Sequence, residues 1–173
     1  MNYRLTLMVL PAAVLMGCAG MDHDPSASAQ LQALQGSNVS GTIEFVQHSH
    51  GMVKVTGQIS GLKPNAEHGF HIHETGDCSS ADGSSAGEHF NPHNTAHGRY
   101  AYGTQHAGDL PSLRSNSSGV ANVHYETPQI SLVKGNHNIL DKALIVHEDA
   151  DDFVSQPSGN AGARLACAVI RRQ

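Results

Sequence analysis

The sequence predicts an all-β domain: an antiparallel sandwich or barrel that carries long loops. Three observations predict it. Short segments alternating apolar and polar residues recur along the chain, bounded by Gly, Pro, Asn and Ser turns. The 173 residues include 18 Gly and no Trp, and that many Gly would weaken any helix they entered. Charged residues make up only 14%, which argues against a coiled coil and against a charged disordered chain. The length supports one domain, with room left for a targeting segment.

The N-terminus reads as such a segment. Arg4 supplies a positive start, and an apolar stretch follows from Leu5 to Met16, broken by Thr6 and Pro11. It is shorter than the roughly 20 apolar residues of a membrane span and suits a signal peptide. Leu15-Met16-Gly17-Cys18 resembles the bacterial lipobox, in which cleavage precedes a Cys that is then acylated. Ordinary cleavage after Gly17 or Ala19 is the alternative. The lipobox reading implies a signal over residues 1–17 and a lipid anchor on Cys18. It also implies a bacterial envelope location. Ala19, where an Asp would mark inner-membrane retention, points to the outer membrane facing the periplasm. Of the three cysteines, Cys18 would carry lipid, leaving an even number, Cys78 and Cys167, in an oxidising compartment. Residues 18–37 are rich in Ala, Ser, Gln and Asp and read as a flexible tether, with a helical turn over Gln30–Gln35 as an option. The domain is then expected over residues 38–173.

Val39 to Phe45 and Met52 to Ile59 alternate around the turn composition Gln47-His48-Ser49-His50-Gly51, which predicts a hairpin. Gly61 to Asn65 is a turn, and Glu67 to Glu74 a third strand. Thr75 to Leu110 has no periodicity, and a loop that long needs a function to order it. Strands resume at Val120–Tyr125 and Ala143–His147. A second irregular loop covers Glu148–Gly162, and Arg164–Ile170 is the last strand.

Thirteen His stand against ten Lys plus Arg, and imidazole is the commonest metal-ligand side chain. The net charge of −5 and the lack of a Lys/Arg cluster remove the electrostatic footprint of a nucleic-acid binder. His71 and His73 sit at i and i+2 of a strand, so they face the same side. His89 follows in Gly87-Glu88-His89-Phe90-Asn91-Pro92, then His97 in Ala96-His97-Gly98, His106 and Asp109 in His106-Ala107-Gly108-Asp109-Leu110, and His147 at a strand end. Such a series points to metal.

Gly69-Phe70-His71-Ile72-His73, the His89–Pro92 segment, His106–Leu110 and Gly159-Asn160-Ala161-Gly162-Ala163-Arg164-Leu165-Ala166-Cys167 together resemble the copper/zinc superoxide dismutases, over roughly Val39 to Ile170. The resemblance implies a Greek-key, immunoglobulin-like sandwich or flattened barrel. It implies an enzyme that converts superoxide anion to oxygen and peroxide, with one copper and one zinc per subunit. Copper would be held by His71, His73, His89 and His147, and zinc by His89, His97, His106 and Asp109, with His89 bridging. Asp151 matches the aspartate that orients ligand rings, Arg164 the arginine that draws in the anion, and Cys78 with Cys167 the intrachain disulfide. His68 matches a structural histidine.

His48, His50, His93, His124 and His137 fall at no ligand position and read as surface or structural groups. The His147–Arg164 segment is shorter than in animal members and holds Glu148, Asp149, Asp151 and Asp152 but no Lys, which leaves the steering of superoxide and the choice between homodimer and monomer open. A non-catalytic copper-binding or copper-delivery protein on the same fold is the alternative function.

Overall fold

The computed structural model describes residues 24–173. The expected signal peptide, Cys18 and His23 lie outside the described residues. The strands are β1 (Ser26–Ala33), β2 (Ser40–Gln47), β3 (Val53–Ser60), β4 (Glu67–His68), β5 (Phe70–His73), β6 (Leu113–Arg114), β7 (Ala121–Thr127), β8 (Ala143–His147), β9 (Arg164–Val169) and β10 (Arg171–Arg172). The only helical element among the described residues is one 3-10 turn, Ser84–Ala86.

The main sheet runs β5-β8-β9-β1-β2-β3-β7, with β4 and β6 forming a separate pair. All strand pairs are antiparallel. Four pairs of the main sheet, β3–β7, β5–β8, β9–β1 and β1–β10, are not consecutive in sequence, so the chain crosses over in Greek-key fashion while the sheet curls around its core. The β2–β3 hairpin is in register from Ser40↔Ser60 to Gln47↔Val53. Its inward residues Ile43, Phe45, Val53, Val55 and Ile59 are fully buried, and Phe70, Ile72, Leu144 and Val146 meet them from β5 and β8.

The tether expectation fails for Ser26–Ala33, which is a strand of the sheet. β1 pairs with β2 along one side, and with β10 and then β9 along the other. Ala27, Ala29 and Leu31 point inward and are buried while Ser and Gln alternate with them. Their small side chains look like linker composition, yet a period of two with two flanking strands makes a strand. The helical turn suggested for Gln30–Gln35 is likewise absent. The single strand expected over Glu67–Glu74 is broken at Gly69 into β4, which pairs with β6, and β5, which pairs with β8; a Cβ at Gly69 would sit 2.8 Å from Ala161 Cβ.

Two faces of β5 and β8 are covered, which explains why both are buried at every position. Phe70, Ile72, Leu144 and Val146 face the main core. Ala143 and Ile145 face outward into a small second cluster with Leu34, Ala86 and Cys167. His71, His73 and His147 follow the same outward parity. The lid over them is the Thr75–Leu110 loop. It runs along β5 with Phe90 N–H bonding Ile72 O at 2.8 Å and Ile72 N–H bonding Gly108 O at 2.9 Å. A disulfide between Cys78 and Cys167 ties this loop to β9.

Candidate metal centre

His71 and His73 reach the outer face of β5 by strand alternation, and His147 joins them from the end of β8. Bridge pairings of His71 with Asp109 and of His73 with His89 lay the loop residues directly beside them. Two overlapping groups result. The ligand atoms of His71, His73, His89 and His147 lie within 4.8 Å of one another, as do those of His89, His97, His106 and Asp109. His89 belongs to both, and every member is buried.

Hydrogen bonds fix which nitrogen of each ring faces inward. Asp151 accepts from His71 Nε2 at 2.8 Å and from His97 Nε2 at 2.9 Å, which turns Nδ1 of both rings away from Asp151. His73 Nδ1 donates to Gly87 O at 2.8 Å, leaving its Nε2 3.4 Å from His147 Nε2. Across the second group, Asp109 Oδ1 lies 2.8 Å from His89 Nδ1 and 3.3 Å from His106 Nδ1, and Asp109 Oδ2 lies 3.1 Å from His97 Nδ1. His71 Nδ1, His89 Nε2 and His97 Nδ1 are buried with no hydrogen-bond partner. Buried lone pairs without a donor are costly, and here they converge on two points. A cation at each point satisfies them.

The electrostatics agree. Burial, with neighbouring His89, drives the His73 imidazole far below its ordinary range, and burial does the same to His147 beside His71. Burial also lowers His89, to about 4, against the opposing hydrogen bond that it donates to Asp109. These three rings therefore keep free lone pairs at neutral pH. Burial works against charge on Asp109 and Asp151 too, yet their histidine partners hold both carboxyls well below the usual range. His97, between the two carboxylates, is desolvated but still raised to about 9. Among the described residues no Lys or Arg pairs with either carboxylate, so the buried negative charge calls for a cation.

Arg164 is delivered by a β-bulge. Cys167 pairs with Ile145 and Ala166 with Val146, but His147 pairs with Arg164, skipping Leu165. The extra residue turns Arg164 to the outward face beside His147. Its guanidinium donates to Gly83 O at 2.6 Å and to Gly87 O at 2.7 Å. Gly87 O thus holds both His73 and Arg164.

The sequence model of the copper/zinc superoxide dismutase (SODC) family matches residues 39–170. The chain belongs to the copper/zinc superoxide dismutase family. A superoxide dismutase [Cu-Zn] 2 of Aquifex aeolicus (strain VF5) is 39% identical over 168 residues, covering 94% of this chain and 96% of that protein. A superoxide dismutase [Cu-Zn] 2 of Mesembryanthemum crystallinum is 43% identical over 143 residues, covering 79% and 90%. The crystal structure of the clock protein EA4 superposes with a TM-score of 0.78 at 38% identity, covering 88% of this chain and 97% of that one. The protein is accordingly an oxidoreductase acting on superoxide, with copper and zinc as its cofactors.

Several residues that position this dismutase site were not legible as such. Gln156 clamps the His97 backbone, accepting from His97 N at 2.9 Å and donating to His97 O at 3.0 Å. Gly159, at φ 68°, packs on the Asp151–His97 pair, where a Cβ would overlap Asp151 Oδ1. The Gly159-Asn160-Ala161-Gly162 run was the available signal for the second, while Gln156 had none. His68 Nδ1 bonds His147 O at 2.9 Å and so secures the end of β8.

Proposed function

We propose that His71, His73, His89 and His147 hold copper and that His89, His97, His106 and Asp109 hold zinc, with His89 shared. The observation that carries this reading is the set of buried ring nitrogens that converge without donors. Four imidazoles suit the tetragonal preference of Cu(II), and three imidazoles with one carboxylate suit tetrahedral zinc. Copper, when bound, supplies a one-electron couple that oxidises one superoxide to oxygen and reduces the next to peroxide. Arg164 supplies a fixed positive charge beside His147, and only two of its five N–H groups are used by Gly83 and Gly87. His89 Nε2 faces the first group while Nδ1 faces Asp109. With Nδ1 turned to the second group, Nε2 is the atom placed to take a proton and pass it to the reduced product. Asp151 keeps His71 and His97 in the tautomers that present Nδ1.

His73→Ala and His97→Ala test the assignment by metal analysis. The first is expected to lose copper and keep zinc, the second the reverse. Parallel loss of both metals in both variants would overturn two separable sites.

We further propose that the protein is exported, acylated at Cys18 and held at the envelope, where it removes superoxide near the outer membrane. Arg4, the Leu5–Met16 apolar stretch and Cys18 in register support this, as does the Cys78–Cys167 disulfide, which suits an oxidising compartment. Cys18→Ser should no longer incorporate labelled fatty acid or partition with membranes. Unchanged membrane association would overturn the anchor.

A further inference from the structure

Two histidines outside the catalytic centre meet on the surface. His93 lies in the metal loop four residues beyond His89, and His137 in the loop between β7 and β8. Their Nε2 atoms are 2.8 Å apart, with ring centroids 4.8 Å apart. His93 is exposed and His137 half-buried, so both edges are open to solutes. Neither ring has a role in the ligand sets above.

Both rings are held in place. His137 Nδ1 donates to Gln129 O at 2.5 Å, and its own carbonyl accepts from Ser131 N at 2.8 Å. With Nδ1 carrying the proton, the lone pair of neutral His137 is on Nε2 and points at His93. His93 sits in a turn fixed by Asn91, whose side chain bonds Thr95 N at 3.1 Å and Thr95 O at 2.9 Å. The chain neighbours Pro92, Asn136 and Asn138 line an adjoining open groove.

We propose that His93 and His137 form a third metal site, an exchangeable surface site for Cu(II). A ring whose far nitrogen is tied to a backbone carbonyl is the usual arrangement of a metal-ligating histidine, and His137 has it. The 2.8 Å Nε2–Nε2 contact is the hydrogen bond that a metal would replace, and among divalent first-row ions Cu(II) binds imidazole nitrogens most tightly, ahead of zinc. On binding, two Nε2–metal bonds form, the Nε2–Nε2 hydrogen bond is lost, and the His93 proton moves from Nε2 to Nδ1. The net charge of the two rings is unchanged. Two protein ligands give modest affinity, so the ion exchanges. It would also brace the loop that carries His89 against the loop before β8.

The test uses mature protein with its copper and zinc already in place. Cu(II) is titrated against a weak glycine competitor and read by electron paramagnetic resonance. The wild type should take up one further equivalent, with hyperfine structure from two nitrogens. His93→Gln and His137→Gln should each weaken that equivalent at least tenfold, while superoxide decay per catalytic copper stays unchanged. The control His48→Gln/His50→Gln removes the other surface imidazole pair, whose rings are 5.4 Å apart, and should leave it intact. Zn(II) should displace it only at tenfold or greater excess. The proposal is overturned by no further equivalent, by one that survives both His93→Gln and His137→Gln, or by one that only the control removes. Equal competition by Zn(II) would overturn the preference for copper.

Discussion

Asp151→Asn separates orientation from charge at the two-group centre. Asp151 Oδ1 accepts from His97 Nε2 at 2.9 Å and from Phe153 N at 2.7 Å, while Oδ2 accepts only from His71 Nε2 at 2.8 Å. An Asn would keep its carbonyl oxygen on the side with two donors and turn its amide N–H toward His71. Two donors then face each other where His71 has no exposure to water. The lost charge-assisted bond and the stranded donor together cost about 2 kcal/mol. His71 escapes by moving its proton to Nδ1, which removes the lone pair that serves the copper group. Copper affinity should fall about 10–100-fold, and zinc affinity less, because His97 keeps its acceptor. Chelator competition with separate copper and zinc analysis measures both, and circular dichroism checks that the β-sheet persists. Wild-type copper affinity in the variant, or selective loss of zinc, would refute the reasoning.

Three further outcomes are expected. Arg164→Ser should lower the second-order rate of superoxide decay about tenfold or more while both metals stay bound, with Arg164→Lys intermediate. Salt should slow the wild type more than the Ser variant, and equal rates and salt slopes would place the steering charge elsewhere. Cys78→Ser opens a crosslink across 89 residues and should cost about 2–4 kcal/mol of stability. It should also slow turnover, because the freed loop carries the Gly83 and Gly87 carbonyls that hold Arg164; unchanged thermal unfolding would contradict this. In metal-free protein, His89 titrates at about 4 when folded against an ordinary 6.5, so the unfolded chain takes up the proton first as pH falls. About 3 kcal/mol of stability should be lost between about pH 6.5 and 4 from this group alone. His97, raised to about 9, contributes stability that is complete below 6.5 and is lost as pH rises through 9. Denaturant midpoints against pH should therefore peak near 6.5, and a flat profile would count against both shifts.

The readable part of the fold was the part with strong alternation. The β2–β3 hairpin, β7, β8 and β9 each carry a period of two or a β-branched run, and the seven ligand positions stood out because each lies in a distinctive local motif. β1 was missed because Ala27 and Ala29 bury little area and its pairing with β9 and β10 is non-local. The two-residue strands β4, β6 and β10 are too short for any period to register. The same holds for positions set by packing alone. Arg164 reaches the outer face only through a bulge whose cause lies in the β8–β9 register. Gln156 acts through a side-chain clamp on a residue 59 positions away, which no local pattern encodes. The outward parity of His71, His73 and His147 was implicit in strand geometry, whereas their complete burial depended on a loop without periodicity folding back along β5.

The central claim is that these convergent, donor-free nitrogens make a working two-metal dismutase. Metal analysis of the purified mature protein, coupled on the same sample to stopped-flow decay of superoxide, tests it most directly. One copper and one zinc per chain are expected, with decay that scales with copper content and vanishes in His73→Ala. Full metal occupancy without accelerated decay would contradict it, as would fast decay that persists after copper is removed.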